Sequence, residues 1–196
     1  LEQLMPLRLL TAGESHGQAL LALVDGFPAG LAVDVALIDQ ELRRRQGGYG
    51  RGGRQALEAD QVQILSGVWQ GTTLGSPMAL LIANRDAKLE RLKDVERPRP
   101  GHADLAGAIK YLSPIRAVLE RASARETAAR VAAGALARQL LSQFGVGVLG
   151  YVLSLEQIVT QPRSGTLTEQ AALRDASPMY TLDPEADPLI VARVDR

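Results

Sequence analysis

The run Glu126–Phe144 (ETAARVAAGALARQLLSQF) constrains the fold more than any other segment of this chain. Alanine is the strongest helix former, and its small side chain lets neighbours approach the helix axis closely. Ser123-Ala-Arg-Glu126 has capping-box spacing, with Ser at the N-cap and Glu at N3. Gly145 supplies the stop. A helix this poor in side-chain volume is expected at the centre of the fold, packed closely against sheets.

The remaining segments read as strands and shorter helices. Leu7–Ala12 (LRLLTA) is expected as a buried strand, and Ala19–Asp25 (ALLALVD) as a second one, closed by Gly26 and Pro28. Asp34 is placed to cap a helix through Arg45, with Val35, Ile38 and Leu42 on one face. Val62–Val68 and Met78–Ala83 read as two strands, and the turn residues GTTLGSP between them suggest a hairpin. Arg45–Arg54 is a glycine-rich loop, and Arg85–Gly101 is a long polar loop with two X-Pro steps. Asp104–Tyr111 is expected as a short helix and Val146–Thr160 as a return to strand. Thr168–Asp175 and Pro184–Val194 read as helices, the last running on to Arg196 without a stop signal.

Composition narrows the chemistry. The 196 residues hold no Cys, which excludes disulfides, thiol catalysis and thiolate metal sites, and only two His, too few for a His-rich metal site. Acidic and basic residues balance at 22 each, against a nucleic-acid binder held by bulk charge. No segment reads as a signal peptide, and the longest uncharged stretch, Gln61–Asn84, is too broken to span a membrane. A cytoplasmic location is expected. Met5 is read as the natural start, with Leu1–Leu4 an added remnant. The basic residues comprise 19 Arg and only 3 Lys. Base composition or heat adaptation explains such a skew, and so does a need to grip carboxylates and phosphates with paired hydrogen bonds.

Three clusters carry potential chemistry. Gly13-Glu-Ser-His16-Gly17 follows a strand, and its glycines keep His16 accessible. Arg43–Arg54 (RRRQGGYGRGGR) sets five Arg and no acid on a flexible loop. The third cluster joins Arg97-Pro-Arg-Pro-Gly-His102-Ala-Asp104 to Arg121–Thr127 (RASARET), a helix N-terminus that offers N–H groups to an anion. Each has a plainer explanation. A lone His is commonly structural, an Arg run is commonly a solvated face or an RGG-like RNA-binding segment, and SARE is accounted for by capping. Glu14-Ser15-His16 as a hydrolase triad is disfavoured, because triad members meet in space and not in sequence. Together the clusters point to a site for a small polyanion, with arginines and a helix N-terminus to hold it and two His to move protons.

These motifs resemble those of the chorismate synthases. GESHGQALLALVDGFPAG (Gly13–Gly30) resembles that family's first signature, RRRQGGYGRGGR the arginine loop of a bacterial subgroup, and RASARETAARVAAGAL (Arg121–Leu136) a second signature. ILSGVWQGTTLGSPMALLIANRD (Ile64–Asp86) and RPRPGHADLAGAIKY (Arg97–Tyr111) match in order. The resemblance implies an α+β fold, a β-α-β sandwich with central helices between antiparallel sheets, and a tetramer. It implies an anti-1,4-elimination of phosphate from 5-enolpyruvylshikimate 3-phosphate, with reduced FMN required and NADPH as one source of its electrons. By motif position His16 and His102 are the acid-base residues. Arg45, Arg51 and Arg54 would contact substrate or nicotinamide nucleotide, with Ser15, Arg99 and Arg125 as further contacts. Arg121, Ala122 and Ser123 would hold FMN, and no metal, membrane or nucleic acid is implied. The family's third signature, an Arg-Ser/His-Asp motif, is absent here. The chain is therefore expected to be a single truncated domain, the N-terminal half. Two alternatives stay open: an inactive folding or oligomerisation module, and an RNA binder using the Arg/Gly loop.

Overall fold

The computed structural model describes residues 6–52 and 58–196. Four strands, β1 (Arg8–Gly13), β2 (Ala19–Asp25), β4 (Val62–Ser66) and β7 (Met78–Ala83), form an antiparallel sheet in the order β1-β2-β7-β4. Alternation along β2 and β7 turns Leu20, Ala22, Val24, Met78, Leu80 and Ile82 to one buried face. Helix α4 (Thr127–Ser142) lies on that face through Ala128, Ala129, Ala132, Ala133 and Leu136. Its alanines let the helix axis sit close to the sheet, as the composition of the run implies. Helix α1 (Val35–Gln46) packs beside it with Ile38 and Leu42 fully buried. Asp34 caps α1 as expected, accepting from the N–H groups of Ala36 and Leu37. The two helices are tied by Gln139, which accepts from the Asp34 N–H at 2.8 Å and donates to the Asp34 carbonyl at 3.0 Å.

Smaller elements complete the chain. Strands β3 (Ala29–Ala32), β5 (Val68–Trp69) and β6 (Thr72–Leu74) make a second antiparallel sheet, and β8 (Ser154–Leu155) pairs with β9 (Ile158–Val159). Helices α2 (Asp104–Tyr111) and α3 (Ile115–Arg121) form a short pair in front of α4, and α5 (Leu167–Ala176) and α6 (Asp187–Val194) follow the β8–β9 ribbon. Mixed helices and antiparallel sheets give the expected α+β class.

The structure corrects several local expectations. Leu7–Ala12 is a strand but not a buried one. It is the sheet edge, with Leu9 44% and Leu10 66% exposed, and among the described strands it pairs with β2 alone. Val35 turns outward at the start of α1. Strands β4 and β7 pair, yet the segment between them is not a simple turn, because it holds β5 and, within GTTLGSP, β6, which pairs with both β5 and β3. The capping box at Ser123 does not form. Ser123 caps a 3-10 turn (Ala124–Glu126) by accepting from the Arg125 N–H, and Glu126 is drawn away by Thr11 and Arg130. The reciprocal box sits instead at Thr166/Glu169, ahead of α5. Most of Val146–Thr160 is not strand. Apolar alternation marks an extended backbone, but a strand also needs a neighbour that local sequence does not supply. The last helix starts at Asp187, after a turn in which Asp183 takes the Glu185 and Ala186 N–H groups, and it stops at Val194.

Leu136 is fully buried between helix and sheet. Leu136→Ala should lower stability by about 2–5 kcal/mol in a denaturant titration, the range for a large-to-small core change.

Candidate functional site

The first cluster is built on the turn from β1 to β2. Gly13 adopts φ +98°, and a Cβ there would lie 2.3 Å from the Ala19 carbonyl oxygen, so the turn requires glycine. Asn84, at the end of β7, donates its side-chain amide to the carbonyls of Glu14 (3.0 Å) and Gly17 (2.8 Å). Lys88 and Leu89 donate their N–H groups to the His16 carbonyl. Glu120, at the end of α3, takes the Ser15 N–H on its own carbonyl. One Glu120 carboxylate oxygen, Oε2, accepts from the His16 main-chain N–H at 3.0 Å and meets His16 Nδ1 at 2.7 Å. His16 Nε2 lies 3.4 Å from Asp86, which pairs in turn with Lys88 Nζ at 2.9 Å. The imidazole borders a cavity of about 700 Å³, walled by Glu14, Gln18, Leu21, Leu81 and Lys88 among others.

The second cluster is joined to the first by hydroxyls. Ser123 Oγ donates to Ser15 Oγ at 3.1 Å and accepts from the Arg125 N–H. Arg125 is buried. Its Nη1 contacts both oxygens of Asp60 at 2.7 Å, its Nε donates to Asn84 Oδ1 at 2.9 Å, and its Nη2 lies 3.7 Å from Glu58. Both faces of Asn84 are therefore used, one for the guanidinium and one for the His16 turn. Arg45 donates to the Ala124 carbonyl and to Thr127 Oγ1, each at 3.0 Å, with Asp60 3.5 Å from Nη1. Burial lowers the Arg45 proton affinity, and the Asp60 charge works against that. Arg45, Arg125 and Ser123 border a cavity of about 210 Å³, and Arg44, Arg45, Arg51 and Tyr180 border a neighbouring one of about 320 Å³. Arg51 donates to the Gly47 carbonyl. The arginine run is thus largely tied down by protein, unlike an RGG tail. Arg54 lies outside the described residues.

The remaining predicted residues stand on adjoining elements. His102 is exposed, with Nδ1 3.0 Å from the Pro100 carbonyl, and it does not line the His16 cavity. Arg99 binds Asp104 through Nε and Nη2, at 2.9 and 3.0 Å. That hydrogen bond holds the Asp104 carboxyl down from the ordinary 3.8 to about 2, against the opposing effect of burial. Arg121 Nη2 donates to Thr11 through the carbonyl (2.8 Å) and the hydroxyl (2.9 Å). Burial alone would raise Glu126, but hydrogen bonds from Thr11 and Arg130 bring it below its usual range. Arg121 and Ala122 border an apolar cavity of about 390 Å³ with Gly107, Tyr111 and Val118. The structure brings Ser15, His16, Ser123, Arg45 and Arg125 into one connected cluster, with His102 and Arg99 on the loop before α2. Sequence reasoning passed over Asn84, Asp60, Arg116 and Glu120. Glu120 adjoins the RASARET motif, but nothing in its spacing marks it as the partner of a residue 104 positions earlier. Among the described residues no group of His, Cys, Asp and Glu could hold a metal ion, and no helix is long and apolar enough to cross a membrane.

Comparison with known proteins gives a consistent result. A family model described as chorismate synthase matches residues 7–196. A chorismate synthase of Symbiobacterium thermophilum is 53% identical, aligned to 96% of this chain and 53% of its own length. One from Desulforudis audaxviator is 51% identical, over 97% of this chain and 52% of its own. A solved structure titled "Crystal Structure of Chorismate Synthase" superposes with a TM-score of 0.79 at 40% identity, covering 98% of this chain and 53% of that one. The chain spans about half the length of the curated relatives it matches.

Two outcomes follow from the geometry. Asp60→Ala strands the buried Arg125 charge and should cost about 3–5 kcal/mol in a denaturant titration. Because Asp104 titrates lower folded than unfolded, its stabilisation is complete above 3.8 and drains away as pH falls toward about 2. Acid titration of Asp104→Asn should lack that component of the loss.

Proposed function

The chain belongs to the chorismate synthase family, and from that premise we propose that it carries part of the site for an anti-1,4-elimination. Phosphate and a ring proton leave 5-enolpyruvylshikimate 3-phosphate to give chorismate. The observation that carries this reading is the link between the His16 turn and the turn into α4, where Ser123 Oγ bonds both Ser15 Oγ and the Arg125 main-chain N–H. A proton-bearing ring stands on one side of the link and cationic groups on the other. That pairing suits a substrate with two carboxylates and a departing phosphate.

His16 Nε2 delivers a proton to the leaving phosphate, while its Nδ1 stays on Glu120. Arg45, Arg51 and Arg54 neutralise substrate carboxylates or a nicotinamide nucleotide. Arg99, Arg125 and Ser15 are further substrate contacts in this reading, with Arg99 and Arg125 held in place by Asp104 and Asp60. The donor set also fits a flavin mononucleotide. Arg121 brings a cation to the rim of the cavity it shares with Ala122, where it would meet a phosphate, Ser123 follows at the start of the turn into α4, and the Ala122 side is apolar enough for a planar ring. Reduced FMN, when bound, supplies electron density to the elimination without net redox change. His102, with Nδ1 on the Pro100 carbonyl, keeps Nε2 for proton exchange and would serve the reduced flavin there. NADPH is one source of reducing equivalents. The enzyme is a cytoplasmic lyase that works as a homotetramer, and its partners are small molecules.

The test uses full-length protein with reduced FMN and the enolpyruvyl substrate, following phosphate release. His16→Ala and His102→Ala should each slow it by roughly 10²-fold or more, as removal of a general acid does. Wild-type rates in both would overturn the assigned roles.

A further inference from the structure

We propose that Glu120 is the positioning residue for His16, forming with it a buried carboxylate–imidazole pair that fixes which ring nitrogen faces the substrate. This rests on the reading of His16 as a proton donor. Glu120 is 1% exposed. Its Oε2 receives both the main-chain N–H and Nδ1 of His16, so a carboxylate there requires a hydrogen on Nδ1 and leaves Nε2, on the Asp86 side of a ring that borders the cavity, as the nitrogen for proton transfer. Its Oε1 is held by Arg116 Nη1 at 3.2 Å. Arg116 is fixed in turn by donating Nε to the Lys93 carbonyl at 2.8 Å and its N–H to Asp94 at 3.0 Å. The carboxylate is therefore oriented before substrate arrives.

A loop anchor alone does not call for this arrangement. The main-chain N–H groups of Ser15 and His16 need only neutral acceptors, and the Ser15 N–H already uses the Glu120 carbonyl. Burying a charge is costly unless it is paired and hydrogen-bonded. What a carboxylate adds over an amide is directed to the imidazole: it can only accept, so it keeps the hydrogen on Nδ1 both in the imidazolium that donates from Nε2 and in the neutral ring left when that proton has gone. On the far side of the ring, Asp86 faces Nε2 at 3.4 Å and is paired with Lys88. The two ring nitrogens thus meet different surroundings, a fixed buried carboxylate at Nδ1 and a partly exposed one, shared with Lys88, at Nε2. The same division of labour, with a buried acid orienting a His that acts through its other nitrogen, is a general solution in acid–base catalysis.

The experiment is a double-mutant cycle on phosphate release in the full-length enzyme with reduced FMN, using Glu120→Gln, His16→Ala and the pair. Glu120→Gln keeps the shape and an acceptor for the main chain. It should lower kcat by roughly 10-fold or more, with KM and FMN affinity little changed. In the His16→Ala background the same change should have no further effect on kcat. If Glu120→Gln does not fold, Glu120→Asp, which withdraws the carboxylate by one methylene, should show the same pattern more weakly. Wild-type kcat in the Glu120 variant, a rise in KM alone, or an equal loss with and without His16 would overturn the pairing. Wild-type kcat in His16→Ala alone would instead remove the proton-donor reading, and this inference with it.

Discussion

Burial of the Arg125 guanidinium organises the molecule around the candidate site. Its charge is met by Asp60 before β4, its Nε by Asn84 at the end of β7, and its backbone starts the turn that leads into α4. A buried guanidinium requires all of these partners at once, because an unmatched donor or charge in the interior is costly. Asn84 converts that requirement into geometry for chemistry. The same side chain that accepts from Arg125 donates to both ends of the Glu14–Gly17 turn. The sheet, the start of the central helix and the His16 turn therefore meet at this amide.

The close packing of α4 makes this registration tight. Alanines at the helix–sheet contact let the turn into α4 come down beside the end of β7, where Arg125 reaches Asn84. Ser123 can then reach Ser15, and Glu120, one helix earlier, can reach His16. Larger side chains in the run would lift the helix start away from the turn. The low side-chain volume of one segment thus has a consequence at the site as well as in the core.

Much of this was legible in the sequence, for physical reasons that differ from element to element. Helix α1 was readable because apolar period and start signal agree locally, with Asp34 taking its first N–H groups. His16 and Ser123 were readable from their glycine-flanked turn and helix-start motif. The Ser123 capping box was misplaced because Thr11 and Arg130 compete for Glu126, and Thr11 is more than a hundred residues away. Val146–Thr160 shows the same limit, since pairing is not a local property. Glu120, Asn84 and Asp60 gave no signal for the same reason. A carboxylate or amide declares its role only when the fold brings its partner to it.

The most direct measurement of the central claim is a structure of the full-length protein with 5-enolpyruvylshikimate 3-phosphate and FMN bound. The account predicts a substrate phosphate oxygen at about 3 Å from His16 Nε2. In that complex Nδ1 remains on Glu120, and the substrate carboxylates lie toward Arg45 and Arg51. A phosphate held only by the arginine loop, with the His16 ring turned away from it, would contradict the account.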